Sequence, residues 1–324
     1  MNRSLSADLI KALSIFGVVF IHGTGLLGTE SDFQIYAANL FRFCVPCFIT
    51  IWAYFFEMSY QKKEPNKRRK YIMDKFFHLF IVFALWSLMY FFISVDWNTV
   101  TLRDLVTKHF SGYGWSGQYF FIILFQLLLF YPVIRWIYLN KFAFRVAVIT
   151  IIILYILMGY FYKLFPDIIL KLSDRPFVFW IPYVFAGIAL TKQKTKKLSP
   201  LLILTLFLIP IESLLMGFDR PSAYVTFSVL IASIILCLTI LPMNINTNPV
   251  LDKIISHVGK NTMIIFVANP IVILLLDLAI PNDIFSDSIS WKIIESFLTT
   301  SLIISICLIL NWIIEKIKLD GILK

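Results

Sequence analysis

Charge is scarce in this chain: only 15% of its 324 residues are charged, against 59% hydrophobic, and the mean hydropathy is +0.83. Soluble domains carry about 25% charged residues and about half apolar ones, so a water-soluble fold with an ordinary charged surface is excluded. Cysteine is equally sparse. Cys44, Cys47, Cys237 and Cys307 all fall inside apolar stretches, which leaves neither a disulfide framework nor a zinc module, and the Cys44-Val-Pro-Cys47 spacing reads as packing inside a span. No cluster of His, Cys and carboxylates has metal-ligand spacing, and no Walker loop or Gly-rich dinucleotide turn occurs, so neither metal nor nucleotide chemistry of those kinds is expected. Internal repeats and low-complexity segments are also missing. The net charge of +10 would suit nucleic acid, but the basic residues come in short clusters between apolar runs, so no nucleic-acid partner is expected.

What remains is apolar run after apolar run. Windows of about 19 residues place spans near 5–27, 35–59, 71–94, 118–139, 143–163, 176–191, 199–217, 222–241, 261–278 and 291–315. The expectation is an all-α, polytopic membrane protein of about ten transmembrane helices forming a single domain over 1–324. Its first segment carries Asp8 and Lys11 without a small-residue cleavage site, and so reads as a retained helix. Lysine and arginine decide the orientation. Lys62, Lys63 and Lys67 to Lys70, Lys192 to Lys197, Arg135 with Lys141 and Arg145, Lys253 with Lys260, and Lys316 with Lys318 and Lys324 all follow even-numbered spans. Positive residues stay in the cytoplasm, which predicts that both termini are cytoplasmic. The longest outward loop, 95–117, holds Trp97, Asp104, His109, Tyr113 and Trp115 around a possible amphipathic stretch from Thr101 to Phe110; it reads either as an aromatic interfacial anchor or as the cap of a cavity.

A polar residue inside a span costs energy and asks for a partner or a task. The first helix has three. Asp8 and Lys11 are spaced to pair on one face, and His22 follows Lys11 by eleven residues, roughly 16 Å along the axis and about 20° around it. One stripe therefore carries a cation near the cytoplasm and an imidazole deeper in. Histidine titrates near neutrality and can take a proton from a hydroxyl attacking a thioester, or carry an acyl group itself. A histidine hydrogen-bonded across a helix interface, with Lys11 snorkelling to headgroups beside Asp8, is the plain structural alternative. Glu57 and Glu212, near span ends, are expected to reach water or pair with lysines; His257 is expected to be solvated in the last cytoplasmic loop.

Asp8-Leu-Ile-Lys11 followed by His22 resembles the opening helix of the membrane-bound acyltransferase family 3, whose pattern is Asp-x-x-Arg with a later His. Val45-Pro46-Cys-Phe48 through Tyr54-Phe55 is similar to the family's second-helix segment, with Trp52-Ala53 where the family has Ser-Gly. Tyr119-Phe-Phe before Pro132, Trp180 through Gly187, and Gly259 through Asn269-Pro270 resemble three later elements in order, with Gly117-Gln-Tyr119 in place of His-x-Trp and Asn269 in place of a late His.

The resemblance implies a membrane O-acyltransferase of the surface-polysaccharide type, in the cytoplasmic (inner) membrane of a bacterium. It would move an acyl group, usually acetyl, from acetyl-CoA to a hydroxyl of a cell-surface glycan or lipid-linked saccharide. By resemblance, His22 is catalytic with Asp8 orienting Lys11; Lys11, Lys75, His78, Arg68 and Arg69 lie on the CoA side, lysine replacing the family's arginines; and Asn269, Tyr119 and Trp115 line the substrate cavity. No metal is called for. The alternative is a transporter or flippase of lipid-linked saccharide that uses the same polar stripe as a path, which Pro46, Pro182 and Pro270 within spans would allow.

Overall fold

The computed structural model describes residues 4–24, 26, 31–94, 101, 103, 106, 112–165, 173–192, 201–216, 222–245, 248–280 and 289–323. Every regular element among them is helical: α1 (Leu5–Gly23), α2 (Asp32–Leu40), α3 (Cys44–Gln61), α4 (Arg68–Ser94), α5 (Tyr119–Leu139), α6 (Lys141–Tyr160), α7 (Ile181–Leu190), α8 (Leu201–Met216), α9 (Phe227–Ile240), α10 (Pro249–Lys260), α11 (Thr262–Ala279), α12 (Ile289–Lys316) and a last turn, α13 (Asp320–Leu323). Trp97, Asp104 and His109 fall outside the described residues, as do most of the stretch from Thr101 to Phe110, Lys194 to Lys197, and Lys324.

Seven helices are long and apolar enough to cross a bilayer, and three more apolar helices, Phe177–Leu190, Leu204–Met216 and Phe227–Ile240, fall short of that length. Fourteen helical residues span about 21 Å, against a hydrocarbon core of about 30 Å. The first of them is sheltered within the bundle: Tyr183, Val184, Phe185, Gly187 and Ile188 of α7 are all buried. Helices in lipid gain no hydrophobic driving force from one another and hold together by close packing of small residues. A Cβ on Gly187 would stand 2.6 Å from the Thr50 carbonyl and 2.7 Å from Ala53, so glycine here lets α7 lie directly on α3.

Two boundaries differ from the expectation. The predicted second span is two helices joined by a 3₁₀ turn, Phe41–Phe43, and the break sets Arg42, half-buried, beside α1. α2 begins at a capping box, Ser31 with Gln34, and Gln34 also reaches Ser296 of α12 at 3.0 Å. The predicted last loop is instead the amphipathic helix α10, which crosses the start of α1 so closely that a Cβ on Gly259 would meet the Asp8 carbonyl at 2.7 Å. His257 is exposed on it, as expected.

The expectation for Glu57 is corrected as well. Glu57 is 1% exposed and is bound by Arg135 at 2.9 Å, by the Tyr131 hydroxyl at 2.6 Å and by Gln61 at 2.7 Å, so neither water nor lysine is its partner. Glu212 accepts from the Tyr160 hydroxyl and from the Ser228 amide, which caps the start of α9. Burial forces such pairings, because an isolated carboxylate in an apolar interior is prohibitively costly. The four cysteines are free and buried, as packing residues should be.

Candidate active site

Most of the predicted residues fall into two neighbouring groups linked by one turn of α11, Phe266 to Asn269. The first lines a cavity of about 480 Å³ between α1, α3, α4, α5 and α11, within the range of about 300–1,000 Å³ for small-molecule sites. Its walls are aromatic, chiefly Phe48, Trp52, Phe56, Tyr71, Phe120 and Phe266, and its cationic and ionisable lining is Lys11, Lys75 and His78. Lys11 is paired to buried Asp8 at 2.9 Å, the i,i+3 contact that the spacing predicts. Lys75 and Lys63 approach the Tyr71 ring at 6.0 and 5.5 Å. The aromatic wall is braced from behind: Phe56 packs on Tyr131 at 4.5 Å, and the Tyr131 hydroxyl donates to Glu57, which also accepts from Arg135.

Arg68 and Arg69 do not join this lining. Arg68 donates to the Lys63 carbonyl and lies over Tyr60, while Arg69 is exposed, which leaves both at the rim of the structure rather than in the cavity. Lys67 is spent on Glu64 at 2.8 Å in a solvent-exposed pair.

The second group is His22 and Asn269. Proline explains their geometry. Pro270 has no N–H, so the Phe266 carbonyl one turn earlier loses its helical donor. The Asn269 side chain supplies one instead: its Nδ2 donates to the Phe266 carbonyl at 2.7 Å and to the Ile265 carbonyl at 3.0 Å. With the amide nitrogen committed to two acceptors, the Oδ1 atom must be the one facing His22, 2.9 Å from Nδ1. An oxygen there can only accept. The network therefore assigns the proton to His22 Nδ1 and leaves Nε2 with its lone pair, the tautomer a general base needs.

Phe266 connects the groups. Its ring lines the cavity and packs on Phe120 and Trp115, and its backbone is held by Asn269. Trp115 is brought in by two left-handed glycines, Gly112 at φ +91° and Gly117 at φ +90°, and a side chain at Gly117 would strike Phe266. Gln118, fully buried, locks that turn by accepting from Gly114 and donating to Ser87. Trp115 stacks on Tyr90 at 4.8 Å, and its indole nitrogen has no partner among the described residues. Tyr119 lies on the other side, 6.2 Å from the Tyr224 ring.

Three residues near this centre carry no sequence signal strong enough to single them out: Arg42, Asp174 and Tyr224. Arg42 acts electrostatically on His22, Tyr119 and Tyr224, and its guanidinium stands 5.5 Å over the Tyr224 ring. Asp174 is buried in the segment before α7, where desolvation raises its carboxyl pKa above the usual range against the opposing pull of Ser173, Arg175 and Ser222. Among the described residues no group of three or more His, Cys, Asp or Glu side chains is arranged to hold a metal ion.

A half-buried histidine with its tautomer set by Asn269, next to a cationic aromatic cavity among membrane-length helices, is an arrangement able to serve proton transfer to a group held there. The family follows from the sequence as a whole: the model of the acyltransferase 3 family, described as an acyltransferase domain, matches residues 4–316, and the chain belongs to that family of membrane acyltransferases. No curated protein and no solved structure matches it.

Proposed function

We propose that this protein is an O-acyltransferase of a bacterial cytoplasmic membrane, taking an acyl group, acetyl first among candidates, from acyl-CoA to a hydroxyl of a surface or lipid-linked glycan. In this reading all ten apolar helices cross the bilayer and both termini are cytoplasmic, so Lys11, Lys75 and His78 face the compartment that holds CoA. The thioester enters along the aromatic cavity, and the lysines act as point charges toward the CoA phosphates. His22 Nε2 accepts the proton of the acceptor hydroxyl as its oxygen bonds to the thioester carbon; the carbon–sulfur bond then breaks and the same proton passes to the departing CoA sulfur.

The observation that carries this proposal is the Asn269 amide, whose orientation is dictated by Pro270 and which leaves Nε2 unprotonated. The test is turnover of labelled acetyl-CoA by membranes containing the protein and by its His22→Ala form. Loss of a positioned general base lowers the rate by about 10²- to 10⁴-fold. Undiminished transfer by His22→Ala would refute the assignment. Lys75→Gln should act mainly on the KM for acetyl-CoA, because a phosphate contact remote from the reacting carbon contributes binding common to ground and transition states.

A further inference from the structure

Arg42 is a charge without an opposite number. Its Nε donates to Asn39 at 3.2 Å, and among the described residues no carboxylate lies within ion-pair distance of it. The carboxylate that acts on it electrostatically is Asp174, beyond ion-pair distance; Ser173 donates to its Oδ1 at 2.9 Å, and its Oδ2 is buried without a hydrogen-bond partner among the described residues. Two other cations within the helical bundle have a carboxylate partner: Lys11 has Asp8, and Arg135 has Glu57. A guanidinium drawn into a bundle without a counter-charge is expensive, and in membrane proteins such a residue marks a binding site.

The surroundings specify what would bind. Tyr224 underlies the guanidinium, Tyr119 and Trp180 pack against Tyr224 at 6.2 and 5.8 Å, and the Ser222 hydroxyl adjoins Asp174. Flat aromatic faces accept the apolar face of a sugar ring, and the planar guanidinium fork matches a carboxylate or phosphate. The 3₁₀ turn Phe41–Phe43 fixes this arrangement next to the base, because Phe41 packs on Phe20 of α1 at 4.8 Å, two residues before His22.

Resting on the acyl-transfer reading, we infer that Arg42, with Tyr119 and Tyr224, is the acceptor subsite for an anionic group, so that the acceptor is an acidic saccharide or one still attached to a lipid phosphate. The two sources share one chemistry and are separable by probe. The purified protein in detergent, without acyl donor, would be titrated with a hexasaccharide containing glucuronic acid and with the same oligosaccharide after reduction of its carboxylates to alcohols. Farnesyl phosphate and farnesol form the second pair.

The expected result is at least about tenfold tighter binding of the charged member of one pair, lost in Arg42→Gln and partly kept in Arg42→Lys. Preference within the saccharide pair assigns a glycan carboxylate; preference within the farnesyl pair assigns the lipid phosphate. Equal binding within both pairs, or a preference that survives Arg42→Gln, overturns the inference. Should Arg42→Gln fail to fold, salt decides on the native protein: the preference must weaken between low and high ionic strength, and a salt-independent preference refutes it. Because the readout is binding alone, it stands or falls independently of whether His22→Ala loses turnover.

Discussion

Replacing Asn269 with Ala removes one side chain that does two things, and the two are separable. The first is structural: the Phe266 carbonyl, already deprived of a backbone donor by Pro270, loses its 2.7 Å replacement inside a fully buried site. An unsatisfied buried acceptor costs about 1–3 kcal/mol. The second is chemical: His22 Nδ1 loses its acceptor at 2.9 Å, and with it the restraint on tautomer and ring orientation. Losing a hydrogen bond of about 1–3 kcal/mol that positions the base lowers turnover by about 5- to 150-fold. That is less than deletion of the imidazole, since a fraction of rings still presents Nε2 correctly. The double variant Asn269→Ala/Pro270→Ala distinguishes the effects. A backbone N–H at 270 satisfies the Phe266 carbonyl again, so thermal stability in detergent should recover toward the native value, while the rate of acetyl-CoA consumption stays depressed. If the double variant recovers stability and full activity together, Asn269 serves the helix alone and the tautomer argument is wrong.

Two further perturbations probe the frame. Glu57→Ala leaves Arg135 without its partner and Tyr131 without its acceptor, a loss of about 3–5 kcal/mol for a broken buried pair; a thermal midpoint close to native would show that the cluster is solvated in the membrane. Asp174 supplies a pH dependence. Its folded pKa lies above the unfolded value of 3.8, so the folded state holds a proton that the unfolded chain releases, and stability falls as pH rises from about 3.8 through the raised value, then levels. Asp174→Asn should remove that fall and raise the midpoint measured at pH 7; an unchanged pH profile would mean that the carboxyl is not desolvated.

The helical frame was legible because lipid enforces a rule that sequence displays directly: backbone groups must pair within their own segment, and long apolar runs follow. The Asp8–Lys11 pair was equally legible, being a contact within one helix whose geometry is fixed by spacing. Pairings between helices were not. Glu57 and Arg135 stand 78 residues apart, and hydropathy holds no information on which of several basic residues a buried acid will meet. The break at Phe41–Phe43 was hidden for a related reason. Apolar residues on both sides hide a 3₁₀ turn from a windowed average, so nothing in the sequence sets Arg42 apart from the span around it. Lys75 and His78 came from the family resemblance and do line the cavity, whereas Arg68, turned to the Lys63 carbonyl and Tyr60, and exposed Arg69 show that basic residues clustered between spans need not enter a site.

Asn269 shows how a departure from a family pattern can preserve a chemical role. Where the family has a late histidine, this chain has an asparagine immediately before a proline, and either residue can offer an acceptor to the first-helix imidazole. A neutral histidine must choose between two tautomers to do so. Asparagine has its choice made for it, because Pro270 leaves a carbonyl that captures the amide nitrogen and turns the oxygen toward His22. The backbone defect thus becomes the device that sets the His22 tautomer, and it costs little, since the defect is repaired by the same side chain. Changing Asn269 to His in the presence of Pro270 should therefore restore part of the turnover lost in Asn269→Ala while leaving the Phe266 carbonyl unsatisfied, giving a variant less stable than native yet more active than the alanine form.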